Sequence, residues 1–141
     1  MSNTTNAIPY PQTIVAADAI CTAAKTTEND LTNAVLLYTA PANAPALVTR
    51  LTANPRATVT ASRLKVYLCR AAAPTAPFFV RERLMGARTV NETTVGTDVD
   101  FGYTNEDPLK LGAGDLLYVA TGVALAGGIV FHAEIEPFEA A

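Results

Sequence analysis

Two short segments in which apolar residues occupy alternate positions constrain the fold of this chain more than any other feature. In Ser62–Arg70 every second residue from Leu64 to Leu68 is apolar. In Ile129–Glu136 every second residue from the first is apolar, and Pro137 ends the run. Successive side chains of a β-strand point to opposite faces, whereas an α-helix repeats about every 3.6 residues. Both segments are therefore predicted to be strands that bury one face.

Six further strand-like runs are separated by turn residues at intervals of about ten positions. They are Thr13–Thr22, Ala34–Thr39, Ala46–Ala53, Phe78–Thr89, Pro108–Leu111 and Leu116–Thr121. The alanines of Thr13–Thr22 would also tolerate a helix, and Phe78–Thr89 is expected to be bent or broken near Gly86. Gly112 and Gly114 lie in a predicted tight turn between the last two runs. Many short strands at this spacing are typical of an all-β sandwich or barrel, and about eight of them suit two packed sheets. We therefore predict an all-β protein, an antiparallel β-sandwich of about eight strands.

The N-terminal residues differ from the rest of the chain. Residues 1–12 are polar, contain Pro9 and Pro11, and show no apolar periodicity. A fully extended segment of this length reaches roughly 40 Å at about 3.3 Å per residue. Residues 13–141 have the length of one ordinary domain. We predict an extended N-terminal arm (1–12), either disordered or ordered on a partner, followed by a single β-sandwich domain (13–141).

The charge distribution points to a protein partner. A formal net charge of −3 argues against nucleic acid, whose binding proteins carry a concentrated basic face. Basic residues nevertheless gather in the middle third of the chain, among them Arg81, Arg83 and Arg88. Because no recognition helix or interleaved aromatic series accompanies them, we interpret them as a charge-complementary surface for another protein. No apolar run is long enough for a membrane helix, so neither nucleic acid nor membrane is an expected partner.

The residues needed for common catalytic sites are scarce. His132 is the only histidine, and neither Ser2 nor Ser62 lies in a nucleophile motif. His132, Glu134 and Glu136 project from one face of the last predicted strand, but neighbours on such a face stand about 6.5 Å apart. We interpret them as the solvated face of an amphipathic edge or outer strand rather than as a metal site. The prediction is a protein that is not an enzyme and uses no cofactor or metal.

Acidic residues cluster between residues 97 and 108, where loop oxygens could bind calcium. The cluster consists of Asp98, Asp100, Glu106 and Asp107. Its spacing does not match an EF-hand loop, because Gly102 and Leu109 stand at the fifth and twelfth positions counted from Asp98. A solvated acidic loop is the favoured interpretation, and calcium binding stays open.

Three segments, Ala34–Arg50, Ser62–Arg70 and Phe101–Glu134, resemble the small auxiliary capsid proteins of tailed bacteriophages, the cement or decoration proteins that bind outside the shell. The pattern L-x-x-G-D-x-L-Y-V within Leu109–Val119 is part of the resemblance, as are the glycine-rich turn and closing strand of Gly122–Glu136. The resemblance implies a jelly-roll-like β-sandwich without catalysis, oligomers seated at capsid symmetry axes, and contacts made by an extended terminus.

We therefore expect a non-enzymatic structural protein that binds the outside of a bacteriophage capsid as an oligomer. It would stabilise the shell by bridging neighbouring subunits of the major capsid protein. The candidate capsid contacts are Pro9, Tyr10 and Pro11 in the arm and Phe138 near the other end, where Phe138 could instead cap the core. A homodimer is favoured over a trimer because dimers are the commonest symmetric assembly.

The expected location is the exterior of the virion, after synthesis in the host cytoplasm. Cys21 and Cys69 have no metal or redox spacing, and we expect both thiols to be buried and reduced. The alternative hypothesis is a carbohydrate- or receptor-binding β-sandwich module of a phage tail or adhesin, with tyrosines lining a ligand groove. The sequence leaves open which capsid protein and which symmetry axis are bound.

Overall fold

The computed structural model describes residues 14–138, in which all regular secondary structure is β-strand. Nine antiparallel strands form two sheets. Their bounds are β1 Val15–Cys21, β2 Val35–Thr39, β3 Ala46–Pro55, β4 Ser62–Cys69, β5 Pro77–Met85, β6 Val99–Asp100, β7 Leu109–Leu111, β8 Leu116–Thr121 and β9 Ile129–Pro137. The predicted all-β fold is confirmed. The described part of the chain holds no helix that could cross a membrane.

The strands form antiparallel pairs that are nested one inside another along the sequence. β1 pairs with β9, β2 with β8, β3 with both β6 and β7, and β4 with β5, all antiparallel. One sheet has the order β1-β9-β3, with β6 and β7 along the far side of β3, and the other has the order β2-β8-β4-β5. Successive nested pairs thus alternate between the sheets, which is the double Greek key of a jelly roll. The expected jelly-roll-like β-sandwich is confirmed, and the arm (1–12) lies outside the described residues.

The structure has one strand more than the sequence predicts. β6 is only two residues long and forms by pairing with Thr52 and Ala53 of β3. Two residues are too few for an alternation to be visible in the sequence. β5 ends at Met85, so the break expected near Gly86 is confirmed, and the chain returns to β-pairing at the bridge between Val59 and Arg88.

The core lies between the two sheets and takes one face of most strands, whereas β5 contributes only Met85 to it. The rings of Phe101 and Phe131 pack within it, with centroids 6.1 Å apart. Fully buried aliphatic side chains from both sheets surround them: Val48, Leu51, Leu64, Val66, Leu117, Val119, Ile129 and Ile135. The alternation predicted for β4 and β9 therefore places its apolar half in the core.

A buried carboxylate holds the turn between β7 and β8. Asp115 accepts hydrogen bonds from the backbone N–H groups of Gly112, at 2.8 Å, and Ala71, at 3.2 Å. The Arg70 guanidinium donates to the same carboxylate at 2.7 Å, which offsets the cost of burying its charge. Gly114 has a φ of +76°, a left-handed conformation that glycine adopts without steric cost. The tight turn predicted here is confirmed, and its carboxylate ties β8 to the loop after β4.

Both cysteines are buried and free. Burial raises the pKa of the Cys21 thiol to about 12, and this thiol donates to the carbonyl oxygen of Val119 at 3.6 Å. Because the thiolate is the nucleophilic form, a thiol that stays protonated is chemically inert. Cys21 and Cys69 are packing residues of the sandwich.

We expect Phe131→Ala to lower the free energy of unfolding by about 3–5 kcal/mol, because it leaves a cavity beside Phe101. Val95→Ala, at a side chain that is 98% exposed, should change the same quantity by less than about 0.5 kcal/mol. Urea unfolding followed by circular dichroism measures both variants. Equal stability of the two variants would contradict the placement of Phe131 in the core.

Candidate interaction surface

Strand β5 is an edge of the four-stranded sheet and exposes most of its side chains. It pairs with β4 along one side only. Four of its apolar residues are exposed: Phe78 (58%), Phe79, Val80 and Leu84 (72%). Soluble proteins rarely expose a contiguous run of large apolar side chains, and such runs mark interaction sites. We call the exposed side chains of residues 77–85, on both faces of the strand, the β5 surface.

A β-bulge brings two of these side chains to the same face. Phe79 lies opposite Tyr67 of β4, and Leu84 lies opposite Arg63. In a regular strand, residues five positions apart point to opposite faces of the sheet. The register shift within the β4–β5 pair leaves Val80 without a partner, so Val80 is the extra residue of a bulge. Phe79 and Leu84 therefore both lie on the outer face.

The backbone groups of Leu84 and Glu82 point away from the sheet. The N–H of Gly122 donates to the carbonyl of Arg63 at 2.9 Å, so Arg63 directs its backbone groups toward β8. Leu84, which lies opposite Arg63, is therefore not hydrogen-bonded to β4, and Glu82 has the same orientation two residues earlier. The Arg83 guanidinium donates to the Glu82 carbonyl at 3.0 Å, which agrees with a carbonyl that faces outward. This edge therefore carries N–H and C=O groups that a further strand could bond.

Arg81 and Arg83 of β5, and Arg88 in the chain after it, have no carboxylate partner within residues 14–138. Arg81 donates to the carbonyl of Phe101 at 2.9 Å and lies over the Tyr103 ring, 4.4 Å from its centroid. Arg83 and Arg88 donate to backbone carbonyl and side-chain amide oxygens. The β5 surface therefore combines exposed apolar side chains with uncompensated positive charge.

The connection between β1 and β2 covers the outer face of the sheet beside β5. Lys65 and Tyr67 of β4 point to this face, yet both are buried. The Lys65 ammonium donates to the carbonyl oxygen of Lys25 at 2.8 Å and pairs with the Glu28 carboxylate at 2.5 Å. The Tyr67 hydroxyl donates to the same carboxylate at 3.4 Å. A charged and hydrogen-bonded contact thus fastens the connection to β4.

A second buried lysine extends this contact. The Lys25 ammonium pairs with Asp30 at 2.7 Å and lies 5.2 Å from the centroid of the Tyr67 ring. The hydrogen bond from Lys25 is the main cause that lowers the pKa of Asp30 to about 2. The hydrogen bond from Lys65 likewise lowers the pKa of Glu28. Both carboxylates are therefore ionised at neutral pH and compensate the two buried ammonium groups.

Of the four capsid contacts predicted from the sequence, the structure describes only Phe138. Pro9, Tyr10 and Pro11 lie outside the described residues. Phe138 is half-buried, and its N–H donates to the carbonyl of Pro45 at 2.9 Å, so it continues the pairing of β9 with the start of β3. A capsid contact at any of these four residues stays a prediction.

Among the groups considered for metal binding, His132, Asp98 and Asp100 have separate local partners. The strand that carries His132, β9, lies between β1 and β3 and is not the edge strand considered from the sequence. Nδ1 of His132 lies 2.6 Å from Oδ1 of Asp18 on the neighbouring β1. Asp98 lies 4.0 Å from Arg50, and Asp100 accepts a backbone hydrogen bond from the loop that follows it. In the described part of the chain no group of three or more histidine, cysteine or acidic residues could hold a metal ion. Calcium binding by the acidic loop stays open.

The tyrosines expected to line a ligand groove differ in exposure within residues 14–138. Tyr67 and Tyr103 are buried. Tyr38 and Tyr118 are half-buried on the adjacent strands β2 and β8, and Tyr10 lies outside the described residues. The buried tyrosines cannot form an exposed platform on which a sugar ring would stack.

The sequence pattern predicts the arginines as a protein-binding surface but does not reveal the exposed apolar residues beside them. Phe78, Phe79 and Val80 are adjacent, so a strand that contains them has apolar side chains on both faces. Such a strand is either buried on both faces or placed at an edge that binds a partner. Only the position of the strand within the sheet distinguishes these two cases. The run of three apolar residues next to Arg-Glu-Arg is the feature that could have raised the second possibility.

Comparison of this chain with protein-family models, with curated protein sequences and with solved structures finds no match.

The two partners of the Lys65–Glu28 ion pair should differ in their importance for stability. Glu28→Gln leaves a buried ammonium without its carboxylate and should lower the free energy of unfolding by about 1–3 kcal/mol. Lys65→Met leaves Glu28, which is 35% exposed and can be hydrated, so the expected loss is below about 1 kcal/mol. Urea unfolding compares the two variants. A larger loss for Lys65→Met would contradict this account of the pair.

Acidification should weaken the fold through these carboxylates. The folded-state pKa of Asp30, about 2, is lower than its ordinary value of 3.8, so ionised Asp30 stabilises the folded state. This contribution is complete above the ordinary value and is lost as the pH falls toward 2. Asp30→Asn should therefore reduce the slope of the free energy of unfolding against pH in this window, measured by urea unfolding in buffered series. An unchanged slope would show that Asp30 does not contribute.

Proposed function

We propose that this protein is a non-enzymatic structural protein that binds the outside of a bacteriophage capsid as a homo-oligomer. It stabilises the shell by bridging neighbouring subunits of the major capsid protein. The observation that supports this function best is the β5 surface, an exposed, apolar and basic contact surface on a β-sandwich. The capsid is proposed as the partner because of the sequence resemblance to decoration proteins.

Burial of the β5 surface can supply the free energy of binding. Full burial of Phe78, Phe79 or Leu84 is worth about 1.5–3 kcal/mol each in transfer free energy. Association also costs translational and rotational freedom, so one copy of this surface yields a modest net affinity. An oligomer that presents several copies to a repeating shell binds far more tightly than one copy does. Because binding is to the assembled shell, it shifts the equilibrium away from disassembly.

The strand that presents this surface is held in place before binding. β5 pairs with β4 along its length. β4 is covered on its inner face by the core and on its outer face by the connection between β1 and β2, which Lys25 and Lys65 fasten. A preorganised surface loses less conformational entropy on binding than a flexible one. The sandwich is therefore suited to a contact that must be repeated identically over a shell.

Purified protein should co-sediment saturably with expanded capsids that lack it. The double variant Phe79→Ser, Leu84→Ser should bind about tenfold or more weakly, because it removes two exposed apolar contacts. Ile20→Ser is the matched control, because Ile20 is also exposed (44%) but lies on β1, an edge of the other sheet. It should bind like the wild type.

Two results would contradict the proposed function: wild-type protein that does not bind the shells, or a double variant that binds them as tightly as the wild type. Sedimentation velocity of the protein alone tests the oligomer, which we predict to be a homodimer. A monomer at all concentrations would contradict the proposed self-association.

A further inference from the structure

The β5 edge has the backbone groups that an added strand requires. An extended peptide that joins a sheet edge gains affinity from main-chain hydrogen bonds and specificity from its alternating side chains. Leu84 and Glu82 direct their N–H and C=O groups outward, as the hydrogen bond between Gly122 and Arg63 establishes. β5 is also one of the longer strands of the molecule, with nine residues. An added strand would therefore extend the four-stranded sheet by one.

The side chains of β5 define the chemistry of such a strand. Phe79 and Leu84 lie on the outer face of the sheet. Arg81 and Arg83 lie opposite Val66 and Leu64, whose side chains are in the core, so these two arginines belong to the inner face. Residues of neighbouring strands that share a face interact directly. A complementary strand carries apolar residues on its outer face and carboxylates at the alternate positions that reach the arginines.

In two antiparallel registers a second copy of β5 fits this edge poorly. When two β5 strands pair antiparallel about an axis at Glu82, Arg81 of one copy lies opposite Arg83 of the other. When the axis lies at Arg83, the two copies of that residue oppose each other. Like charges directly opposite each other destabilise a strand pair. In these two registers the arginines act against self-pairing, which is a common role of charged residues on edge strands.

We propose that the β5 surface binds an extended, acidic segment of the partner as an added β-strand, with apolar residues beside Phe79 and Leu84 and carboxylates beside Arg81 and Arg83. This inference rests on the proposed function, because it specifies what the same surface binds. Main-chain hydrogen bonds to Leu84 and Glu82 hold the strand, and the arginines select for its charge. Since the attraction is ionic, binding weakens as the salt concentration rises.

The test uses a peptide and does not depend on capsids. The probe is acetylated Val-Glu-Val-Glu-Leu-Glu-Val amide, added to the isotope-labelled full-length protein and followed by amide chemical shifts. The shifts of Phe79, Glu82 and Leu84 should change saturably, and those of the β1 edge should not. The same peptide with lysine in place of glutamate should bind about tenfold or more weakly, since like charges then meet at the arginines.

Glu82→Pro tests the backbone contribution to peptide binding, and Arg83→Glu tests the charge contribution. Glu82→Pro removes an outward-facing N–H and should weaken peptide binding about tenfold or more, while the hydrogen bonds between β5 and β4 remain. Ala16→Pro is its matched control on the edge of β1. The backbone N–H of Arg56 donates to the Gly128 carbonyl, so the backbone groups of Gly128 face β3. The backbone groups of Ile129 and of alternate residues after it therefore face β1. Ala16 lies opposite a residue of the other set, so its own N–H points away from the sheet. This control should bind the peptide like the wild type.

Arg83→Glu keeps the test decisive if Glu82→Pro does not fold. Arg83 is exposed and donates to a backbone carbonyl, so its replacement leaves the core intact. The variant should prefer the lysine peptide over the glutamate peptide. Equal binding of the two peptides to the wild type would overturn the proposal, as would chemical shift changes at the β1 edge in place of β5.

The same variants distinguish this proposal from the proposed function. If capsids bind the wild type, Glu82→Pro and Arg83→Glu equally, the capsid function stands and the added strand is wrong. If the acidic peptide binds at β5 but capsids do not bind the wild type, the added strand stands and the capsid partner is wrong.

Discussion

The pairing of the first described strand with the last organises the rest of this molecule. Val15 lies opposite Ile135, so β1 and β9 close almost the whole described chain into one loop. The entropy cost of such a closure rises only slowly with loop length, and the nested pairs inside it share that cost. Each inner hairpin then falls into the sheet opposite to the one before it. The result is a sandwich in which most pairings join distant parts of the sequence.

Nested pairing also decides which strands lie at edges. β1 and β2 end on one side of the sandwich, and β5 ends on the other, across from β6. The edges are not equivalent, because β2 is shorter and β6 has only two residues. β5 is long, pairs on one side and keeps Phe78 and Leu84 exposed. The fold leaves this apolar run in solvent, next to arginines that have no acidic partner among residues 14–138.

The predictions from sequence succeed where the physical cause is local. The alternation of β4 and β9 and the turn at Gly114 each depend on a few neighbouring residues, and the structure has all three. The same alternation assigns Lys65 and Tyr67 to the polar face of β4. Their side chains do point to that face, but they are buried and not exposed to solvent. They are buried because the connection between β1 and β2 lies over them, a contact between segments about 40 residues apart. The β5 surface escapes prediction for a related reason, since an edge is a property of the sheet and not of the strand.

The closure of β1 against β9 has a mechanical consequence. Both ends of the described chain leave the sandwich at the same end, so tension between them pulls the two strands apart from that end. Antiparallel strands loaded in this way separate one hydrogen bond at a time, and they resist less force than strands that must slide past each other along their length. A tether through the two chain ends would therefore peel β1 away before the rest of the sandwich carried load. A tether through β5 would instead pass the force into β4, which is held on both of its faces.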